Sequence, residues 1–333
     1  VRRLATVALV LVGGAALVAC HGPRPAPAFE KQTYTYKTVG DCEIKADVYS
    51  LPGATPRPGI LFIHGGALIF GHRGSVRDHQ LERYLDSGFV VIAIDYRLAP
   101  ETKLPEIIED LSDGYAWARA EGPRLCNLEP DHLAVVGDSA GGYLALMAGL
   151  LSPRPQALVS FYGFGELGGD WTRQPDPHYL GLDPIRAQDA RKSVGDRVIS
   201  ESPTLPRATF YNYCRQNALW LWEVAALDPD LDPLRLRYLS PARNITKEYP
   251  PTMLVHGDRD SDVPFAQSVL MAQALAEAGV PHRLLRMEGY DHRFDVPEGW
   301  PSDTGPGELE DETVIAAYDE VIAFLEQYVG RSP

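Results

Sequence analysis

Two rhythms of apolar residues alternate along the chain. "TYTYKTV" (33–39) and "EIKADVYSL" (43–51) place apolar and polar residues at every second position, the period of half-exposed strands. "GILFIHGG" (59–66) and "FVVIAIDYR" (89–97) are nearly continuous apolar runs, as strands covered on both faces of a parallel sheet require. "LAVV" (133–136), "ALVSFYGF" (157–164), "PTMLVHG" (251–257) and "HRLLRME" (282–288) add further strands. Between them lie helical segments near 75–87, 105–122, 143–148, 265–279 and 309–328. Strand–helix alternation of this kind predicts an α/β fold with a mostly parallel central sheet flanked by helices.

One region breaks the alternation. Residues 165–248 separate two sheet strands and hold prolines, short helical pieces and Trp171, Trp220 and Trp222. A long excursion from a regular α/β unit predicts an inserted cap or lid. Its aromatics are expected either to receive part of a substrate or to pack the cap's own small core.

The N-terminus follows different rules. Arg2 and Arg3 precede an uncharged apolar run from Leu4 to Ala19, short for a membrane span and close to a secretory signal. The run ends in Leu17-Val18-Ala19-Cys20, which resembles a bacterial lipobox. That resemblance implies a signal peptide over 1–19, lipidation of Cys20, and a domain held outside the cytoplasm on a bacterial membrane. Val1 reads as an alternative start codon. Residues 20–32 form a Pro-rich tether, which leaves 33–330 for the folded domain.

The rest of the composition narrows the partners. The chain has 333 residues, 45% hydrophobic and 23% charged, with a formal net charge of −14. Such an acidic balance argues against nucleic acid as a partner. Cys42, Cys126 and Cys214 can form at most one intramolecular disulfide in an oxidising compartment, or can all be buried small hydrophobes.

Candidate chemistry centres on "GDSAG" (137–141), a G-x-S-x-G pattern between an apolar strand and a helix. Gly137 and Gly141 lack a Cβ and permit a sharp strand-to-helix bend with Ser139 at its apex. Amides at the new helix N-terminus point the same way and favour negative charge there. Four more motifs follow the same logic: "FIHGGA" (62–67), "DYRLAPE" (95–101), "HGDRDSDVP" (256–264) and "GYDHRF" (289–294).

Together these five motifs resemble the α/β-hydrolase superfamily, and within it the hormone-sensitive-lipase-like and bacterial carboxylesterases. The resemblance covers residues 33–330. It implies a serine carboxylesterase working through an acyl-enzyme, on a small or polymer-attached ester, with no metal or organic cofactor. Ser139, Asp260 and His292 would be nucleophile, acid and base, in the chain order that this fold uses. Asp260 lies four residues after the histidine of "HG" and three before "VP". Asp258 is expected in the strand-end turn, and Asp262 at the start of the next helix. A calcium loop opening at Asp258 is excluded, because Val263 and Val269 occupy its Gly and Glu positions. The oxyanion hole would draw on the amides of Gly65, Gly66 and Ala140, with Ala67 replacing the family's third glycine. His64, Tyr96 and Asp138 are read as structural supports. A peptidase or formamidase on the same fold, and a catalytically inactive binding module, are the alternative functions. Nothing in the sequence sets the oligomeric state.

Overall fold

The computed structural model describes residues 29–296 and 309–330. The signal segment, Cys20 and most of the tether therefore lie outside the described residues. Eight strands form one sheet: β1 (Glu30–Val39), β2 (Cys42–Ser50), β3 (Arg57–Ile63), β4 (Val90–Ile94), β5 (Leu128–Asp138), β6 (Ala157–Phe161), β7 (Thr252–Gly257) and β8 (His282–Met287). Their spatial order is β1-β2-β4-β3-β5-β6-β7-β8. β1 and β2 pair antiparallel, as does β2 with β4, and every later pairing is parallel. Both alternating segments thus become the antiparallel edge, and the continuous apolar runs become the buried parallel interior.

Helices cover both faces. On one side lie α1 (Asp78–Asp86) and the C-terminal helix; on the other lie α2 (Leu104–Cys126) and α3 (Ala140–Ala148). Period-2 geometry divides each strand between two cores. In β3, Leu61 and Ile63 pack toward α2 and α3, while Ile60 and Phe62 pack toward α1 and the C-terminal helix.

Between β6 and β7 the chain makes the expected excursion. It contains α4 (Asp170–Arg173), α5 (Pro177–Leu180), α6 (Ala187–Ala190), α7 (Thr204–Gln216), α8 (Trp220–Ala225) and α9 (Pro233–Tyr238). α10 (Ala266–Glu277) and α11 (Glu312–Tyr328) then close the fold. The tryptophans divide by burial. Trp171 and Trp220 pack with Phe164, with ring centroids 5.2–5.7 Å apart, whereas Trp222 is 55% exposed. None of the three lines the central cleft. Trp171 and Trp220 serve the cap's own packing, and Trp222 faces solvent. Cys42, Cys126 and Cys214 are all unbonded, the latter two buried as small hydrophobes.

The strand order itself locates the site. From β3 the chain moves to β4 on one side and then to β5 on the other. Such a switch point opens a crevice at the C-terminal strand ends. The HGG turn leaves β3 there, and Ser139 leaves β5 beside it.

Candidate active site

Ser139 sits between the end of β5 and the first residue of α3, with φ 53° and ψ −117°. A non-glycine residue at positive φ costs energy and persists only where its surroundings enforce it. The enforcement is close backbone packing. A Cβ on Gly137 would lie 2.2 Å from the carbonyl oxygen of Gly141, and one on Gly141 would lie 2.0 Å from that of Ile63. Only glycine at both positions lets the chain turn this tightly.

The structure brings the three residues named from sequence into one hydrogen-bonded chain. The Ser139 hydroxyl donates to His292 Nε2 at 3.0 Å, and His292 Nδ1–H donates to Asp260 Oδ2 at 2.7 Å. Asp260 is fully buried. Its Oδ1 accepts the amides of Asp262 at 2.9 Å and Val263 at 2.7 Å. Burial would raise its pKa, but the charge of His292 and a hydrogen bond from His256 outweigh that and hold it well below the usual carboxylate range. For His292, burial opposes the imidazolium, yet the Asp260 carboxylate wins and the pKa is raised from 6.5.

His256 is the partner that sequence reasoning missed. It is the penultimate residue of β7, its Nε2 stands 3.0 Å from Asp260 Oδ2, and its Nδ1 is 2.7 Å from Ser268 Oγ. Asp291 ties the Asp260 loop to the His292 loop, accepting amides from Ser261 and from His292 at 2.7 Å each. Asp258 takes a strand-end role, accepting from the Gly289 amide at 2.7 Å and from the Arg286 guanidinium.

Two expectations are corrected. Asp262 does not cap the next helix: α10 begins at Ala266 with no side-chain cap bond. Its carboxylate instead meets Tyr211 and Arg215 of α7, and its Oδ2 lies 3.8 Å from His292 Nε2. Gly65 does not aim its amide at an oxyanion: that N–H donates to Asp138 Oδ1 at 3.1 Å. Among the described residues no hydrogen bond takes the amides of Gly66, the adjacent Ala67, or Ala140, which stands at the first helical position where an amide has no intrahelical partner. Gly66 has φ 106°, and Ala67 and Leu68 hold positive φ without being glycine. The turn survives the missing third glycine because Ala67 accepts the left-handed conformation. Trp220 Nε1–H, donating to the Ala67 carbonyl at 3.0 Å, helps to hold it there.

The supports behave as expected. His64 stacks on Tyr96 with centroids 4.3 Å apart and donates Nδ1–H to the Gly65 carbonyl at 2.7 Å. Burial lowers its pKa to about 3, so it stays neutral. The Tyr96 hydroxyl donates to the His64 carbonyl at 2.9 Å. Asp138 also accepts from Arg77 at 3.2 Å, and Arg77 reaches the buried Asp295 at 3.1 Å. Arg77 carries no motif signal in the sequence, and only the fold brings it beside Asp138 and Ser139.

These groups open into a cleft of about 290 Å³ between the sheet ends and the cap. A serine hydroxyl bonded to an imidazole that a buried carboxylate holds in one tautomer, beside a helix N-terminus, is an arrangement able to carry out acyl transfer.

Comparison with known proteins agrees with this architecture. Residues 60–296 match the family model described as the alpha/beta hydrolase fold. Esterase LipC of Mycobacterium tuberculosis is 30% identical over 254 residues, covering 75% of this chain and 56% of LipC. The non-reducing polyketide synthase stbA of Stachybotrys bisbyi is 29% identical over 342 residues, covering 87% of this chain. The chain spans only 15% of that synthase's length. An α/β-hydrolase superfamily structure from Enterococcus faecalis superposes with a TM-score of 0.69 at 22% identity, covering 90% of this chain and 99% of the other. With the family model matching most of the chain, the protein belongs to the alpha/beta hydrolase fold family.

Proposed function

We propose that the protein is a serine carboxylesterase that cleaves carboxylic esters through an acyl-enzyme. The carrying observation is the unbroken chain from Ser139 Oγ through His292 to Asp260. The esterase name of LipC points the same way. Ser139 Oγ attacks the ester carbonyl carbon as its proton passes to His292 Nε2. Negative charge gathers on the carbonyl oxygen, facing the amides of Ala140, Gly66 and Ala67. The bond to the alkoxy oxygen then breaks, and Nε2 returns its proton to the departing alcohol. Water repeats the sequence on the acyl-serine and releases the acid. Asp260 stays ionised throughout, fixing the tautomer and balancing the imidazolium.

Labelling by a fluorophosphonate probe, alongside p-nitrophenyl acetate turnover, tests this reading. The wild-type protein should label and turn over, while Ser139→Ala should lose labelling and fall to about a hundredth of wild-type turnover or less. Equal labelling of both proteins would overturn the assignment.

A further inference from the structure

We propose, building on the esterase reading, that the substrate is a short acyl ester of a polyhydroxylated alcohol such as a sugar, recognised through the Asp262 carboxylate and the Asn212 amide. The composition of the cleft points first in this direction. Among the described residues, no Leu, Ile, Val, Met or Trp lines it; Ala67, Phe70 and Ala208 are joined there by the hydroxyl-bearing rings of Tyr179 and Tyr211. A long acyl chain gains its binding from a continuous apolar wall, and this cleft offers aromatic rings, on which a sugar ring can also stack, but no Leu, Ile, Val or Met. Its volume of about 290 Å³ lies at the small end of ligand sites.

The placement of Asp262 specifies the alcohol side. Tyr211 and Arg215 both engage its Oδ1, so the cap fixes the carboxylate from one side. Arg215 is itself anchored: it pairs with Asp176, and its guanidinium lies 5.3–5.9 Å from the ring centroids of Trp171, Tyr179 and Tyr211. The other oxygen, Oδ2, lies 3.8 Å from His292 Nε2. Nε2 must reach the alkoxy oxygen to protonate it. A hydroxyl on the neighbouring carbon of that alcohol then falls within reach of Oδ2. An alcohol without such a hydroxyl would cover the carboxylate and give it nothing in return, which is costly. Asn212 lies one residue beyond Tyr211 on α7 and also lines the cleft. Among the described residues its side chain makes no hydrogen bond, so both its donors and its acceptor are available. Ser261, on the same rim, has its hydroxyl committed to Asp291.

A cationic alcohol fits less well. Arg215 already balances Asp262, and Arg77 and Arg293 line the same cleft.

The test compares kcat/KM for a monoacetylated methyl pyranoside, for cyclohexyl acetate, whose ring is of similar size without hydroxyls, and for acetylcholine. The wild-type protein should prefer the pyranoside over cyclohexyl acetate by about tenfold or more. Asp262→Asn and, separately, Asn212→Ala should each reduce that ratio several-fold. Asn212→Ala removes no bond within the protein, so it remains informative even if Asp262→Asn folds poorly. Equal rates on the two acetates would overturn the proposal, as would a preference for acetylcholine. So would an Asp262→Asn loss that is equal on both acetates, since that pattern reports an electrostatic effect on His292 alone. These failures leave p-nitrophenyl acetate turnover and fluorophosphonate labelling in place. Absence of both would instead overturn the esterase reading, and this inference with it.

Discussion

Replacing Asp260 by Asn tests the assignment of the acid at one atom. Asp260 Oδ2 faces two imidazole nitrogens, His292 Nδ1 at 2.7 Å and His256 Nε2 at 3.0 Å, while Oδ1 takes two backbone amides. In Asn, the carbonyl oxygen stays with the amides, whose donors are fixed in the backbone, whereas His256 Nε2–H keeps the Val263 carbonyl at 2.9 Å as its acceptor. The new NH2 then points at His292 Nδ1, which must give up its proton to accept from it. The proton moves to Nε2, and the nitrogen 3.0 Å from Ser139 Oγ no longer has a lone pair to receive the serine proton. The corresponding exchange in a serine-protease triad costs about 10⁴-fold in turnover. We expect a loss of roughly 10²–10⁴-fold here, the smaller figure applying where the side chain can rotate part of an acceptor back. The fold should survive, weakened by about 1–3 kcal/mol through loss of charge-assisted bonds to a buried carboxylate. Steady-state turnover of p-nitrophenyl acetate, with a thermal midpoint on the same preparation, reads both effects. Asp258→Asn is the control: its exposed pairing with Arg286 lies outside the cleft, and turnover should hold. Retention of a tenth or more of wild-type turnover by Asp260→Asn would refute the reasoning. Were Asp262→Asn the stable and inactive protein instead, the acid would have been placed two residues too early.

Two further outcomes follow from the same geometry, and a third from the N-terminal sequence. His292 must be neutral to act as base and its pKa is raised, so kcat/KM should climb with pH through a midpoint above 6.5, and the residual limb of Asp260→Asn should shift to lower pH. Linked to stability, the raised His292 stabilises the fold below about pH 6.5 and loses this as pH rises through its folded value, whereas the depressed Asp260 stabilises it above about pH 3.8 and loses this in acid. A midpoint at or below 6.5 in the wild-type protein would contradict the charge balance. Gly141→Ala should destabilise by at least about 2 kcal/mol in urea unfolding, since its Cβ meets two backbone carbonyls that cannot step aside, while Gly195→Ala, in open space, should not. The lipobox reading gives Cys20→Ser as its test: the altered protein should leave the membrane fraction or stay unprocessed, and unchanged partition would remove the reading.

Much of the architecture was legible locally. Period-2 alternation marked β1 and β2 as strands, although β2 is buried on both faces from Ala46 to Tyr49, and unbroken apolar runs marked the parallel interior. The length of the excursion marked the cap. Ser139 was readable because the elbow is a local device: the glycines that relieve it lie two residues to either side. His292 and Asp260 were readable through motif order, and the fold brings both within hydrogen-bond reach of their partners.

Other features required the tertiary structure, for one physical reason: a hydrogen-bond donor's partner depends on which distant segment folds beside it. The Gly65 amide looked equivalent to that of Gly66 until Asp138, 73 residues later, was found accepting from it. The roles of Asp258, Asp260 and Asp262 in the D-x-D-x-D run separate only when β8, His292 and α7 arrive around them. Arg77 and Arg215 gave no periodic or motif signal, and the motif that contains His256 did not show that it would face Asp260. Each acquires its role from charges brought close by strand order and by the cap, which the local sequence around it does not encode. The tryptophans show the same division: the sequence placed them in the cap, and only packing determined that Trp220 would hold the oxyanion turn while Trp222 faced solvent.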